Sequence, residues 1–395
     1  MMRSKSLNFL FLGLFLIASA SITVVASIVS RRNHCVKNNR YSPPSTSEYG
    51  TYQDRRSKGW NLIQYTAVVI FGASDSDNAH SRDSKYNETL RPAPYFRGRF
   101  TNGPVFGEIL SSGTLTGKKL NDLNYAYGDA TVSNQLVPVN APDIKSQIDY
   151  YIQDLKNNRI ERGYNSNGDD DKKKKKRVLH IFWIGINDVI KAWSDMVTSP
   201  DFNSGQPKLI DSDFGIAKSK VKQSVKKLID EINQLVNNDE VNGSKDKGSA
   251  DFLVMMIPPL EIVPNLRYQS LEKSSNDKNL AKIYLDYIGR LTSEYNQNLK
   301  FETESLAKKS PVKNQFKDGP IKSGFLKIFD SVSLFRQVYQ NPGKFGFSNI
   351  TEPCWNSTTG GICKNPDQWG YWDTLHPTTS FQKLIAQEIT VSCNT

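Results

Sequence analysis

The sequence predicts an α/β protein: a three-layer α/β/α sandwich around a five-stranded parallel sheet of flavodoxin-like order. Three observations carry that expectation. Short apolar runs alternate with longer segments of helical period, as in a parallel sheet flanked by helices. The clearest helical segments each bear a single apolar stripe. The polar residues that close several runs fall where an open parallel sheet binds ligands, at the carboxyl ends of its strands.

Taken in order, residues 1–30 read as a signal peptide or an N-terminal membrane anchor. Arg3 and Lys5 precede an apolar stretch from Leu7 to Val29, and Arg31-Arg32 follows it. The small-residue site Ala18-Ser19-Ala20 predicts cleavage near residue 20, whereas a stretch of about 23 residues is also long enough to span a bilayer uncleaved. Both readings stay open, and both put the rest of the chain in the secretory lumen or outside the cell. Residues 31–65 form an N-terminal extension, and 66–395 a single α/β domain.

Within that domain Thr66 to Phe71 reads as the first strand. Asp122 to Tyr127, Val178 to Ile184, Asp251 to Ile257 and Phe325 to Phe329 read as the other four. Phe214, Ala217, Val221, Val225, Leu228, Ile232 and Leu235 recur at three or four, predicting one helix; Ile283, Tyr287, Leu291, Tyr295 and Leu299 predict another. Polar insertions near 160–177, 195–212 and 238–250 read as loops that shape or cover a cleft.

The formal charge of +11 raises the question of nucleic acid, but much of the excess is local, in Lys172 to Arg177 of a polar insertion. Such a run reads as a solvated loop, and export excludes a nuclear role. No nucleic-acid partner is expected; weak attraction to an anionic membrane or cell wall is compatible with the charge. Four cysteines fit an oxidising compartment, and they allow three connectivities. The preferred one joins Cys354 to Cys363 across a short loop and Cys35 to Cys393. His34, His80, His180 and His376 form no ligand cluster, so neither metal nor cofactor is expected. Asn87, Asn242, Asn349 and Asn356 each open an Asn-x-Ser/Thr glycosylation acceptor.

The chemistry lies at two distant places. Phe71-Gly72-Ala73-Ser74-Asp75-Ser76-Asp77 ends the first apolar run, and Tyr371-Trp372-Asp373-Thr374-Leu375-His376-Pro377 lies near the C-terminus. A serine on a strand-to-helix turn exposes its hydroxyl to a cleft, an imidazole can deprotonate it, and a carboxylate three residues earlier can hold the ring. Asn124-Tyr125-Ala126-Tyr127-Gly128-Asp129-Ala130-Thr131 and Ile184-Gly185-Ile186-Asn187-Asp188 stand between them in the chain. Together, in this order, the four segments resemble the GDSL or SGNH family of serine hydrolases. Gly98-Arg99-Phe100-Thr101-Asn102-Gly103-Pro104-Val105-Phe106 is similar to a further segment of its secreted fungal and plant branch.

The resemblance implies Ser74 as nucleophile, His376 as base and Asp373 as its orienting acid. It implies an oxyanion hole from the Ser74 and Gly128 N–H groups and the Asn187 amide. Two positions depart from the pattern: Ala73 replaces the family aspartate, and Asp75 stands where the family name has leucine. Asp75 is expected either to repel anionic substrates or to face solvent. The expected function is secreted ester hydrolysis through a serine acyl-enzyme, on short acyl esters of carbohydrates or on lipids. A phospholipase or lysophospholipase at a membrane, and a non-catalytic wall- or glycan-binding protein on the same fold, are the alternatives.

Overall fold

A computed structural model of the chain describes residues 62–80, 91–160, 177–242, 249–309 and 326–392. They fall within one compact unit, Arg56–Thr395. The parallel sheet is built from β1 (Ala67–Gly72), β2 (Asn121–Asn124), β3 (Arg177–Trp183), β4 (Ser249–Met255) and β5 (Leu326–Phe329). Its order is β2-β1-β3-β4-β5, every neighbouring pair parallel, which is the flavodoxin-like arrangement expected.

All six residues of β1 and all seven of β3 are buried, because helices cover both faces of the sheet. The helices are α1 (Phe106–Ser111), α2 (Ile144–Lys156), α3 (Ile186–Val197), α4 (Pro207–Val236), α5 (Pro264–Lys273), α6 (Lys278–Lys309), α7 (Ser331–Gln340) and α8 (Thr379–Ser392). Ala67, Val69 and Phe71 face a core shared with Ile148 of α2, Trp193 of α3, Ile232 of α4 and Leu291 of α6. Val68 and Ile70 point the other way, toward Phe106 of α1, Phe335 of α7 and Ile385 of α8. The period of two along one strand thus supplies both layers. Among the described residues no helix is long and apolar enough to cross a membrane.

Several expectations need adjusting. The segment 195–212 is not a loop: α3 runs to Val197, a helical turn spans Pro200–Asn203, and α4 starts at Pro207. Prolines at helix starts explain this, since a first-turn residue has no intrahelical partner for its N–H. Ser199 caps the turn through Phe202 N–H, 3.0 Å away. On α6 the buried stripe begins Ala281, Tyr284, Ile288, and Ile283 is 48% exposed, so the periodic reading started one residue early. β2 ends at Asn124 rather than Tyr127, although Tyr125 N–H still donates to Ile70 O at 2.8 Å and Tyr127 N–H to Gly72 O at 3.2 Å.

A two-stranded parallel ribbon, β6 (Asn349–Pro353) with β7 (Trp369–Tyr371), has no counterpart in the sequence reading. The Cys354–Cys363 disulfide follows β6 directly, with Cα atoms 4.9 Å apart. Cys354 N–H donates to Tyr371 O at 3.0 Å, so the bridged loop is pinned to β7. Cys35, Cys393 and Asn87 lie outside the described residues, as do 161–176 and 243–248 of the expected insertions and the side chain of Asn242. Asn356 is exposed; Oδ1 of both Asn349 and Asn356 caps a turn, accepting Thr351 N–H at 2.9 Å and Thr358 N–H at 2.9 Å.

Candidate active site

Ser74 follows β1 at the carboxyl edge of the sheet, on a turn closed by Ser76 N–H and Asp77 N–H donating to Ala73 O at 2.9 and 3.1 Å. The main chain makes this turn, so it does not depend on a side chain at residue 73. Buried Gln147 of α2 braces the strand end: it accepts Gly72 N–H at 2.9 Å and donates to Gly72 O at 3.0 Å.

Asp373 and His376 follow β7. His376 Nε2 lies 2.8 Å from Ser74 Oγ, across 302 residues of sequence. Its Nδ1 lies 2.8 Å from Asp373 Oδ2 and 3.0 Å from Oδ1. An ionised carboxylate only accepts, so Nδ1 carries the proton and the Nε2 lone pair faces the serine hydroxyl. Burial alone would raise the Asp373 carboxyl, but the His376 charge and hydrogen bonds outweigh it and hold Asp373 down at about 2. Burial would likewise lower His376, and Asp373 more than offsets that, leaving the imidazole above its usual range. The pair is thus set to develop an imidazolium beside a carboxylate.

Phe100 connects these parts. Its ring centroid is 4.9 Å from that of His376, and a Cβ built on Gly128 would sit 2.3 Å from the Phe100 ring. Residue 128 must therefore be glycine, for close approach rather than for an unusual dihedral. Thr101 Oγ1 donates to Pro377 O at 2.8 Å and Asn102 Oδ1 accepts Thr379 N–H at 2.8 Å, so the 98–106 segment clamps the chain around His376.

Gly128 and Asn187 line one cleft of about 630 Å³ with Val137, Val139, Ile190 and Gln269. Asn187 Nδ2 donates to Ala130 O at 2.8 Å, which leaves its second proton for another acceptor. Asp188 beside it accepts Val132 N–H at 3.1 Å and Ser224 Oγ–H at 3.0 Å, tying the Gly128 loop to α3 and α4. The Gly128 N–H is already engaged: it donates to Asp77 Oδ2 at 2.8 Å. Ser74 N–H donates to no described residue.

Asp75 is half-buried. Its Oδ1 is buried without a hydrogen-bond partner, in a cavity of about 10 Å³ lined by Leu260, Val263, Phe335 and Tyr371. Burial pushes its carboxyl up to about 6, with His376 pulling down and Asp373 pushing up. A carboxyl raised in the fold contributes stability fully below its unfolded value of 3.8, and that stability is lost as pH rises through about 6. Asp75→Asn, which never ionises, is expected to melt close to wild type near about pH 4 and above it near about pH 7.5. A Tm difference that does not change between those two pH values would refute the assignment.

Other flagged side chains are structural. Ser76 is fully buried, and His180 bonds Tyr151 Oη at 3.0 Å and Asp251 O at 3.1 Å inside the core. Trp183, Tyr371 and Trp372 are buried, and Trp369 is half-buried. His80 packs its ring 5.0 Å from Tyr127. Phe100 and Asp77 stand in the motif segments without a role of their own, and Gln147 and Tyr95 are the site neighbours that sequence reasoning did not single out. Buried Gln147 between the apolar positions Ile144 and Ile148 of α2 was the one signal available. Among the described residues no three His, Cys, Asp or Glu side chains gather as metal ligands.

A parallel sheet covered on both faces, with serine, histidine and aspartate in hydrogen-bonded series at its carboxyl edge, defines a serine hydrolase of α/β architecture. Residues 68–389 match the GDSL-like Lipase/Acylhydrolase model, and the chain belongs to that family of ester hydrolases. It is 23% identical over 287 residues to an acetylesterase of Thermothelomyces thermophilus, covering 73% of this chain and 72% of that one. It is 24% identical over 321 residues to a GDSL esterase/lipase of Arabidopsis thaliana, covering 74% and 75%. A thermolabile hemolysin of Vibrio parahaemolyticus is 21% identical over 345 residues; 84% of this chain spans 64% of it, just under two thirds of that relative. Among solved structures, a lipase from a goat rumen metagenome aligns with 82% of this chain and 95% of its own at 12% identity and a TM-score of 0.34.

Proposed function

We propose that this chain hydrolyses carboxylic esters through a Ser74 acyl-enzyme, and that it does so outside the cell. The observation that carries the proposal is the 2.8 Å approach of His376 Nε2 to Ser74 Oγ. Ser74 Oγ attacks the ester carbonyl while His376 takes its proton; the tetrahedral oxyanion then collapses and His376 returns the proton to the leaving alcohol. Water, deprotonated by the same imidazole, attacks the acyl-enzyme and releases the acid. Asp373 stays ionised throughout and stabilises the imidazolium.

Ser74 N–H, Gly128 N–H and Asn187 Nδ2 are the proposed oxyanion donors. Gly128 reaches that role when the oxyanion displaces the Asp77 carboxylate as its acceptor. Export is supported by the N-terminal apolar stretch and by the Cys354–Cys363 bridge.

The cleft lies within the roughly 300–1,000 Å³ range of pockets that enclose a drug-sized ligand, well beyond an acetyl group. Its mix of Val137, Val139 and Ile190 with Asn140, Ser194 and Gln269 suits a short acyl ester of a sugar-sized or lipid alcohol. Hydrolysis of p-nitrophenyl acetate and p-nitrophenyl octanoate tests this reading. Acetate turnover at least equal to octanoate is expected, and Asn187→Ala is expected to lower kcat on both by about 100- to 1000-fold. A strong octanoate preference would move the substrate to longer lipids, and no turnover of either would favour a non-catalytic binder.

A further inference from the structure

We propose that Tyr95 is a positioning residue of the hydrolytic site, fixing Asp373 through a hydrogen bond from a part of the chain remote from the Asp-His segment. The inference rests on the Ser74–His376–Asp373 reading above. Asp373 accepts from four groups. Leu375 N–H and His376 N–H reach Oδ1 at 2.8 and 2.7 Å, and the His376 ring bridges both oxygens. These three donors are local, within three residues, and would travel with the segment if it moved. The fourth is the Tyr95 hydroxyl, 2.7 Å from Oδ2 and 278 residues away in sequence. It is the contact among the described residues that ties the carboxylate itself to a separate piece of the fold.

Tyr95 is held in turn. Its ring meets Trp355 edge to face at 5.1 Å, and Trp355 N–H donates to Trp372 O at 2.8 Å, immediately before Asp373. Trp355 adjoins the Cys354–Cys363 bridge, while Phe96 N–H donates to Thr101 O at 2.9 Å on the other flank. The hydroxyl is therefore presented from a braced ring. Burial first, then the Asp373 charge, raises the Tyr95 phenol above its usual range, so it remains a donor wherever the enzyme works.

The chemical consequence follows from competition for Oδ2. Tyr95 and His376 Nδ1 donate to the same oxygen, so the phenol both orients the carboxylate and takes part of the charge that would otherwise hold the imidazolium. The groups that act electrostatically on His376 are Asp373, Asp75 and Arg91. Tyr95→Phe leaves all three, and the ring against Trp355, in place.

The test compares pH profiles of kcat and kcat/KM on p-nitrophenyl acetate for wild type and Tyr95→Phe, with rates normalised to serine titrated by a fluorophosphonate, and for Ser74→Ala with rates per mole of protein. Tyr95→Phe is expected to lower kcat roughly tenfold with little change in KM, and to move the rising limb of kcat/KM to higher pH. A limb that does not move, whatever happens to kcat, overturns the proposal, because loss of packing alone leaves the His376 equilibrium unchanged. Activity surviving in Ser74→Ala would instead overturn the underlying triad, so the two failures are distinguishable.

Discussion

Ser74→Ala is expected to lower kcat for ester hydrolysis by about 10⁴- to 10⁶-fold while leaving the fold and the cleft intact. The magnitude follows from the route: without Oγ there is no acyl-enzyme, and what remains is the rate that oxyanion donors and binding give to attack by water. The substitution removes one oxygen from a side chain only 8% exposed, and that oxygen's partner in the structure is His376 Nε2, so stability should change little. Ser76 cannot take over. It is fully buried behind Gly72, whose position a Cβ could not occupy without meeting Ser76 Oγ at 2.9 Å. Burst titration of p-nitrophenol release checks the result directly, since the variant should show no burst and only the residual turnover. Wild-type turnover in Ser74→Ala would place the nucleophile elsewhere.

The sheet was legible because its strands are nearly continuous apolar runs, a pattern that burial on both faces imposes. The ends of those runs then locate Ser74, Gly128 and Asn187 without any knowledge of distance. His376 was legible for a different reason: Asp373 lies three residues away, so the relation between acid and base is local even though their relation to Ser74 is not. What stayed hidden is what depends on three-dimensional neighbours. Nothing in Pro94-Tyr95-Phe96 points to a carboxylate 278 residues later. The β6–β7 ribbon has too few residues to show a period. For Asp75 the sequence leaves repulsion of anionic substrates and exposure to solvent both open, since aspartate is rarely buried without a partner; only the apolar walls from Leu260, Val263 and Phe335 show the surroundings of its Oδ1. The engagement of Gly128 N–H by Asp77 was equally invisible, since the two lie 51 residues apart.

Asp373→Asn is the second large effect, with kcat expected to fall about 10⁴-fold. The shape is conserved, but the carboxamide brings a donor to where Asp373 only accepts. Leu375 N–H and His376 N–H both need an acceptor at the Oδ1 place, so the amide oxygen is claimed there and the NH₂ takes the Oδ2 place, where it faces His376 Nδ1 and can no longer accept from Tyr95. The imidazole then carries its proton on Nε2 and donates to Ser74 instead of receiving from it. The pH dependence separates this from a general loss of structure. In the wild type His376 is raised above 6.5, so the neutral base is lost, and kcat/KM falls, as pH drops through that raised value. Without the Asp373 charge, burial becomes the dominant influence and lowers His376, so the residual activity of the variant should have its rising limb at lower pH. Stability responds with the opposite sign of pH from that of Asp75. Asp373 is held at about 2 against 3.8 unfolded, so its contribution is present above 3.8 and lost as pH falls through about 2. The variant should therefore melt lower than wild type at neutral pH and approach it near about pH 2. A variant with lowered kcat but an unmoved limb would mean that Asp373 holds the loop without setting the protonation of His376.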